Sequence, residues 1–216
     1  MDESIYIEEK TKNQFDKWAR PYDGGVWNLY FKKAIKNALN IVELKENSVI
    51  LDLGCGTGDL GLAIVQRSKI RQVIGIDLSH EIIKTAKEKR LQKNISDEKL
   101  KYIIGRADEI KFPDSYFDIV FCLNSFHHYL SPENVIKEIH RALKNDGLFV
   151  LLDPFLNNYL RKGWGVFLKK IFKEEHVNYY TRELINHMLR NKKFKIIKQQ
   201  SFLYFTLFTV CQNIKK

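Results

Sequence analysis

Val49-Ile50-Leu51-Asp52-Leu53-Gly54-Cys55-Gly56-Thr57-Gly58-Asp59 is a short apolar run that ends in an acid and opens into a glycine loop. The run has the length and composition of a buried strand. Glycines at 54, 56 and 58 remove the side chains that would hold a ligand away from the backbone, so the loop is built for close approach. A strand leading into such a loop, with a helical stretch after it, is the first unit of an α/β sheet.

Working outward, the same alternation repeats. Ser48–Leu53, Gln72–Asp77, Leu100–Gly105, Phe117–Leu123 and Gly147–Asp153 are short apolar runs, as expected of strands covered on both faces. Asp59–Ser68, Ser79–Lys93 and Pro132–Lys144 between them are helical in pattern, and Trp27–Leu39 precedes them as an amphipathic helix. Ser79 and Ser131 stand where N-caps belong, Pro132 at a first helical position, and Asn145-Asp146-Gly147 marks a stop before the fifth strand. These elements predict a parallel sheet with right-handed crossovers. After a helix at Thr181–Arg190, Phe194–Gln200 and Phe202–Asn213 lie too close together for a crossover, which predicts an antiparallel hairpin at a sheet edge. The expected organisation is one domain of 216 residues. Residues 1–44 form a helical lid segment, 45–154 the ligand-binding core, 155–180 a substrate-side insert and 181–216 the closing helix and strand pair.

Composition narrows the class. The chain is 44% hydrophobic and 29% charged, and its three cysteines, Cys55, Cys122 and Cys211, are widely separated. No disulfide framework or zinc-type pair is expected, and the chain reads as cytoplasmic, with no signal peptide in its acidic first ten residues. Net charge is +10; residues 155–216 hold thirteen Lys+Arg against three Asp+Glu, while the first 154 hold 23 of each sign. The excess basic charge is therefore C-terminal. It suits an anionic substrate, a membrane surface or nucleic acid, and equally a solvated lysine-rich face.

The loop admits two ligand classes. Read from Gly56, the residues Gly56-Thr57-Gly58-Asp59-Leu60-Gly61 match the GxGxxG pattern of nicotinamide and flavin sites, but leave Gly54 and Cys55 as a poor strand end. Read from Asp52, the pattern Asp-Leu-Gly-Cys-Gly-Thr-Gly is followed by Asp77 closing the second strand, by Gly105-Arg106-Ala107-Asp108 after the third, by Phe117-Asp118-Ile119-Val120 opening the fourth and by Leu143-Lys144-Asn145-Asp146-Gly147 before the fifth. In this order and spacing the chain resembles the class I S-adenosylmethionine-dependent methyltransferases. Phe15-Asp16, Trp18-Ala19, Tyr22-Asp23 and Glu175–Thr181 resemble the ubiquinone and menaquinone methyltransferase branch.

The resemblance implies a Rossmann-like, seven-stranded, mostly parallel sheet with an antiparallel last strand and helices on both faces. It implies S-adenosyl-L-methionine as cofactor. Gly54, Cys55, Gly56 and Gly58 would lie along the methionine moiety with Asp52 nearby, Asp77 would hold the ribose hydroxyls and Leu78 pack on the adenine. Ala107 and Asp108 would meet the adenine amino group, and Leu123 and Asn124 the methionine end. Taken alone, Asp52, Asp77 and Asp108 read equally as a strand-end carboxylate, a helix cap and a turn.

His127 and His128, just past the fourth strand, are the candidate general bases; they serve equally as pocket wall. No carboxylate or cysteine stands at a metal-ligand spacing from them, so no metal is expected. Asp153-Pro154-Phe155 departs in position and sequence from the signature of nucleic-acid amino-methylating enzymes, and that activity is not carried over. The expected acceptor is a small apolar or aromatic molecule, quinone- or lipid-like, admitted by a lid carrying Phe15, Trp18, Tyr22 and Trp27 and by the basic amphipathic stretch Phe155–Phe172. That stretch also allows peripheral membrane contact. The competing expectation is an RNA or protein methyltransferase docking through the basic C-terminal region, although no stable nucleic-acid complex is expected.

Overall fold

All five residues of β1 (Val49–Leu53) are buried, and they alternate between two apolar layers. Val49, Leu51 and Leu53 face one layer and Ile50 the other, the two-residue period of a strand covered on both sides. Phe117, Val120 and Cys122 against Ile119 and Phe121, and Phe149 and Leu151 against Val150 and Leu152, divide the same way in the fourth and fifth strands.

The computed structural model describes Lys10 and residues 25–155 and 177–215, with the side chains of residues 25–27 outside that description. The elements are α1 (Gly25–Ile41), β1, α2 (Asp59–Arg67), β2 (Gln72–Asp77), α3 (His80–Gln92), β3 (Leu100–Ile104), β4 (Phe117–Leu123), α4 (Pro132–Ala142), β5 (Leu143–Pro154), α5 (Arg182–Asn191), β6 (Phe194–Phe202) and β7 (Thr206–Asn213). The sheet runs β3-β2-β1-β4-β5-β7-β6. The first five strands pair with one another in parallel, and β7 is antiparallel to both β5 and β6. Ala34 and Ala38 of α1, Ile64 of α2 and Ala86 of α3 enter one apolar layer; Ile136 and Ile139 of α4 and Leu189 of α5 enter the other. The seven-stranded, mostly parallel sheet with helices on both faces is the expected architecture.

Order reverses between β1 and β4, so the loops after these strands part there and leave a crevice at their carboxyl ends. Local capping fixes where the flanking helices begin. Ser79 Oγ accepts from the Ile82 amide at 3.1 Å and Thr181 Oγ1 from the Leu184 amide at 3.2 Å, satisfying first-turn donors. Ser131 stands at the start of α4 with Pro132 behind it, but its hydroxyl makes no capping bond; its carbonyl takes the Asn134 and Val135 amides instead.

Two boundaries differ from expectation. α4 stops at Ala142, and the strand expected from Gly147 begins at Leu143, which is fully buried and pairs with Phe117. Asn145-Asp146-Gly147 is a bulge within that strand, and a side chain at Gly147 would press on the Lys144 and Asp118 carbonyls at 3.0 and 3.1 Å. Phe202 closes β6 instead of opening β7, and Leu203–Phe205 make the turn. The expected aromatic lid of Phe15, Trp18, Tyr22 and Trp27, and the stretch from Leu156 to Phe172 with Glu175 and His176, lie outside the described residues or side chains. Among the described residues no helix is long and apolar enough to cross a membrane.

Candidate active site

The crevice holds a cavity bordered by the loops after β1, β2, β3 and β4 and by α1. Asp52, Gly54, Cys55, Gly56, Asp77, Leu78, Ala107, Asp108, Leu123 and Asn124 all border it, as does His128. Of the residues singled out in the sequence, Gly58 and His127 do not.

The glycines of the loop divide by task. All three have positive φ, at 71°, 52° and 88° for Gly54, Gly56 and Gly58. A side chain at Gly54 would strike Ser125 at 2.5 Å, and one at Gly58 the Tyr102 ring at 2.4 Å. At Gly56 the same position is open. Tyr102 donates its hydroxyl to the Gly58 carbonyl at 2.6 Å and also fills the space beside Gly61 and Gly75. The third glycine of the overlapping GxGxxG match therefore makes room for a tyrosine of β3.

Carboxylates gather at the strand ends. Asp77 Oδ2 accepts from the Gly56 amide at 3.0 Å and Oδ1 from the Ser79 amide at 3.1 Å, so Asp77 shapes the glycine loop and the start of α3 together. Asp108 is held by the Arg106 guanidinium through two bonds of 2.9 Å. Asp52 is buried with Oδ2 lacking a partner among the described residues. Burial, then the charges of Asp77 and Asp59, push its carboxyl up to about 8. That is an acid waiting for a cation or a donor.

The loop after β4 closes the other side. Ser125 Oγ donates to the Leu53 carbonyl at 3.1 Å and receives the Tyr129 hydroxyl at 3.1 Å, tying this loop to the glycine loop. Asn124 has φ of 56°, and its Oδ1 accepts the Tyr30 hydroxyl of α1 at 2.6 Å. His128 borders the cavity, and its ring centroid lies 4.0 Å from that of His127. His127 turns away from the cavity and puts Nδ1 2.8 Å from Asp153 Oδ1. Asp153 is fully buried at the end of β5. Burial disfavours charge on both members of this pair, holding the His127 imidazole down at about 3 and the Asp153 carboxyl well above its ordinary range. Against this, the backbone amides of His127 and Phe126 favour the charged form of the Asp153 carboxyl. His128 is pushed well below 6.5 by burial and then by His127, so it is a neutral imidazole at physiological pH.

Sequence reasoning missed Tyr30, Phe31, Ser125 and Tyr129, which border or brace the cavity. No local motif marks them. Asp153 carried no signal of its role, because its partner His127 lies 26 residues earlier in the short 3-10 turn after β4. Among the described residues no group of three or more His, Cys, Asp or Glu could hold a metal ion.

An open position at Gly56, an orphaned acid at Asp52 and carboxylates at two neighbouring strand ends fit a nucleoside that carries a cationic end. S-Adenosylmethionine has both parts. Residues 51–151 match the family described as methyltransferase domain. The chain is 30% identical over 117 residues to an uncharacterized methyltransferase, YcgJ, of Bacillus subtilis, covering 54% of this chain and 45% of that protein. It is 27% identical over 187 residues to a demethylmenaquinone methyltransferase of Listeria monocytogenes, 77% of each chain. The chain thus spans about half the length of the first curated relative and three quarters of the second. Among solved structures, a chain from the complex of the Haloferax volcanii Trm112 methyltransferase activator with a methyltransferase superposes with a TM-score of 0.80 at 20% identity, over 93% of this chain and 98% of that one. The crystal structure of YcgJ gives 0.75 at 17%, over 86% and 100%.

Proposed function

We propose, for a chain whose residues 51–151 match the methyltransferase-domain family, that it transfers the methyl group of S-adenosylmethionine to a small apolar or aromatic acceptor. The observation that carries this reading is one continuous cavity. It joins the glycine loop, Asp77 and Asp108 to a wall of Phe31, Ile35, His128, Tyr129 and Leu130. The first set suits the cofactor and the second an apolar ring or chain. The relatives named demethylmenaquinone methyltransferase favour a quinone-like acceptor.

When bound, S-adenosylmethionine supplies an already activated methyl on a sulfonium, so the protein's work is to bind, orient and keep water out. Asp77 receives the ribose hydroxyls, Leu78 and Ala107 the adenine faces and edge, and Asp108 the amino group. Gly54, Cys55 and Gly56 line the amino-acid end, with Asp52 against its ammonium; Leu123 and Asn124 close that end. Gly58 acts from behind by letting Tyr102 support the loop. His128, neutral and at the cavity wall, accepts the acceptor's proton where one must leave. His127 and Asp153 position it from behind and touch neither partner.

His128→Ala is expected to lower kcat about 100-fold or more while the cofactor Kd stays within about threefold. Equal turnover by the variant, measured with an accepted substrate, would remove His128 from the chemistry. The acceptor class is tested by incubating the protein with methyl-labelled cofactor and separate lipid, small-metabolite and RNA fractions, with label expected in a lipid or small-molecule product. The second reading, RNA or protein methylation, draws on the tail: no Asp or Glu follows Glu183, and Lys195 and Lys198 are exposed on β6. Label in RNA, with binding that weakens steeply between low and moderate salt, would favour it.

A further inference from the structure

The tip joining β6 to β7 is left unexplained by cofactor binding. Phe202 pairs with Thr206, so Leu203, Tyr204 and Phe205 form a three-residue turn. Leu203 and Tyr204 have φ of 46° and 68°. That left-handed backbone is usually supplied by glycine or asparagine, and bulky residues adopt it at a cost. Both residues are exposed, 55% for Leu203 and 44% for Tyr204.

Position adds to composition. Thr206 also pairs with Pro154, so the tip lies at the carboxyl end of the parallel strands, the end that carries the cavity. α1 flanks it, with the Tyr30 ring 6.1 Å from that of Phe202. Beside Tyr30, Leu29 is 57% exposed. Lys32, Lys33 and Lys36 are exposed at three, four and seven residues beyond Leu29, on one helical face with it. α1 contains no acid, and no carboxylate side chain follows Glu183.

We infer that the hairpin tip and the outer face of α1 dock the protein on an anionic lipid surface. Leu203 and Tyr204 enter the headgroup layer, and the three lysines face its negative charge. Tyrosine suits a boundary with one apolar and one wet side, and lysines near such a surface are drawn to anionic headgroups. Leu203, the more exposed of the two, has no π-face for stacking on a base, which favours lipid over nucleic acid. The cavity mouth, where Leu130 is 38% exposed, then opens close to the lipid. The inference goes beyond methyl transfer and holds whatever the acceptor is.

The test uses the full chain and vesicles of phosphatidylcholine alone or mixed equally with phosphatidylglycerol. Co-sedimentation is expected with the mixed vesicles and at least about tenfold less with the neutral ones. Leu203→Asn combined with Tyr204→Gly places residues suited to positive φ at the tip, so the fold should hold or gain stability. This variant is expected to bind mixed vesicles at least about tenfold more weakly, with its melting temperature equal or higher and its S-adenosylmethionine affinity unchanged. Lys32→Glu with Lys33→Glu is expected to abolish the preference for phosphatidylglycerol. Equal binding to both vesicle types, undiminished binding by the tip variant, or capture of a single-stranded RNA oligonucleotide in place of vesicles would overturn the inference. Methyl transfer is not measured, so a failure here leaves the catalytic reading to its own experiment.

Discussion

A methyl group added at Gly54 would lie 2.5 Å from Ser125, whereas one added at Gly56 would meet nothing within 4 Å. Two glycines in one loop therefore answer to different constraints. Gly54→Ala is expected to destabilise the fold by about 2–4 kcal/mol, through overpacking and a left-handed alanine together. Gly56→Ala should cost only about 1–2 kcal/mol of backbone strain. It should weaken cofactor binding by about tenfold or more, since the new methyl stands in the cavity. Thermal melting and cofactor titration on both variants separate the two effects, and a Gly56→Ala protein with unchanged affinity would place the cofactor elsewhere. Asp52 makes a second prediction at this scale. Its folded carboxyl titrates near 8, above its ordinary 3.8, so without ligand the native state holds a proton that the unfolded state has lost. Stability from this group is present below pH 4 and is lost as pH rises through about 8. A cationic ligand beside Asp52 favours its charged form, so binding near pH 7 should release a proton and tighten with rising pH. Calorimetry in two buffers of different ionisation enthalpy measures that proton, and Asp52→Asn should abolish it.

Individual elements carry the site only because other elements brace them. Asn213, at the end of β7 and fully buried, directs Nδ2 toward the carbonyls of His140, Leu143 and Lys144 at 3.0, 3.2 and 3.1 Å. It thereby seals the point where α4 turns into β5. Asn213→Ala leaves these buried carbonyls without a donor and should cost about 2–3 kcal/mol in chemical denaturation. A loss below about 0.5 kcal/mol would mean that water replaces the amide. The β4 loop has a similar brace. Asn178 donates its amide to the His127 carbonyl at 2.8 Å, and the Tyr179 ring stacks on His127 at 5.6 Å. Histidines adjacent in sequence are thus sorted, one into the wall of the cavity and one into its support. The hairpin shows the limit of local signals. Leu203 and Tyr204 have the composition of strand residues, so nothing in them marks the turn that β6 and β7 impose.

At the scale of the whole molecule, alternating apolar runs and caps were enough to read a mostly parallel α/β sheet with a terminal hairpin, and the structure supplied the order β3-β2-β1-β4-β5-β7-β6. The glycine loop and the ordered motifs after it pointed to S-adenosylmethionine through a family resemblance, whereas the acids of β1, β2 and the β3 loop taken singly did not. Those features are legible because each is local: a period of two residues, a cap, a glycine where the backbone turns left-handed. A melting curve that rises with S-adenosylmethionine and stays unmoved by NAD is the expected signature of that site, and the reverse would sink it. What lay beyond the sequence is everything that depends on contact between distant segments. Asp153 against His127, Ser125 behind Gly54, Tyr102 under Gly58 and Tyr30 on Asn124 join residues 26, 71, 44 and 94 positions apart. A side chain's partner across the sheet has no signature in its own neighbourhood, because it is chosen by strand order and packing. The sequence by itself determined the sheet, the loop and the cofactor class; the tertiary structure alone decided which histidine meets the cavity, which glycine has open space beside it and which apolar turn is left exposed at the mouth.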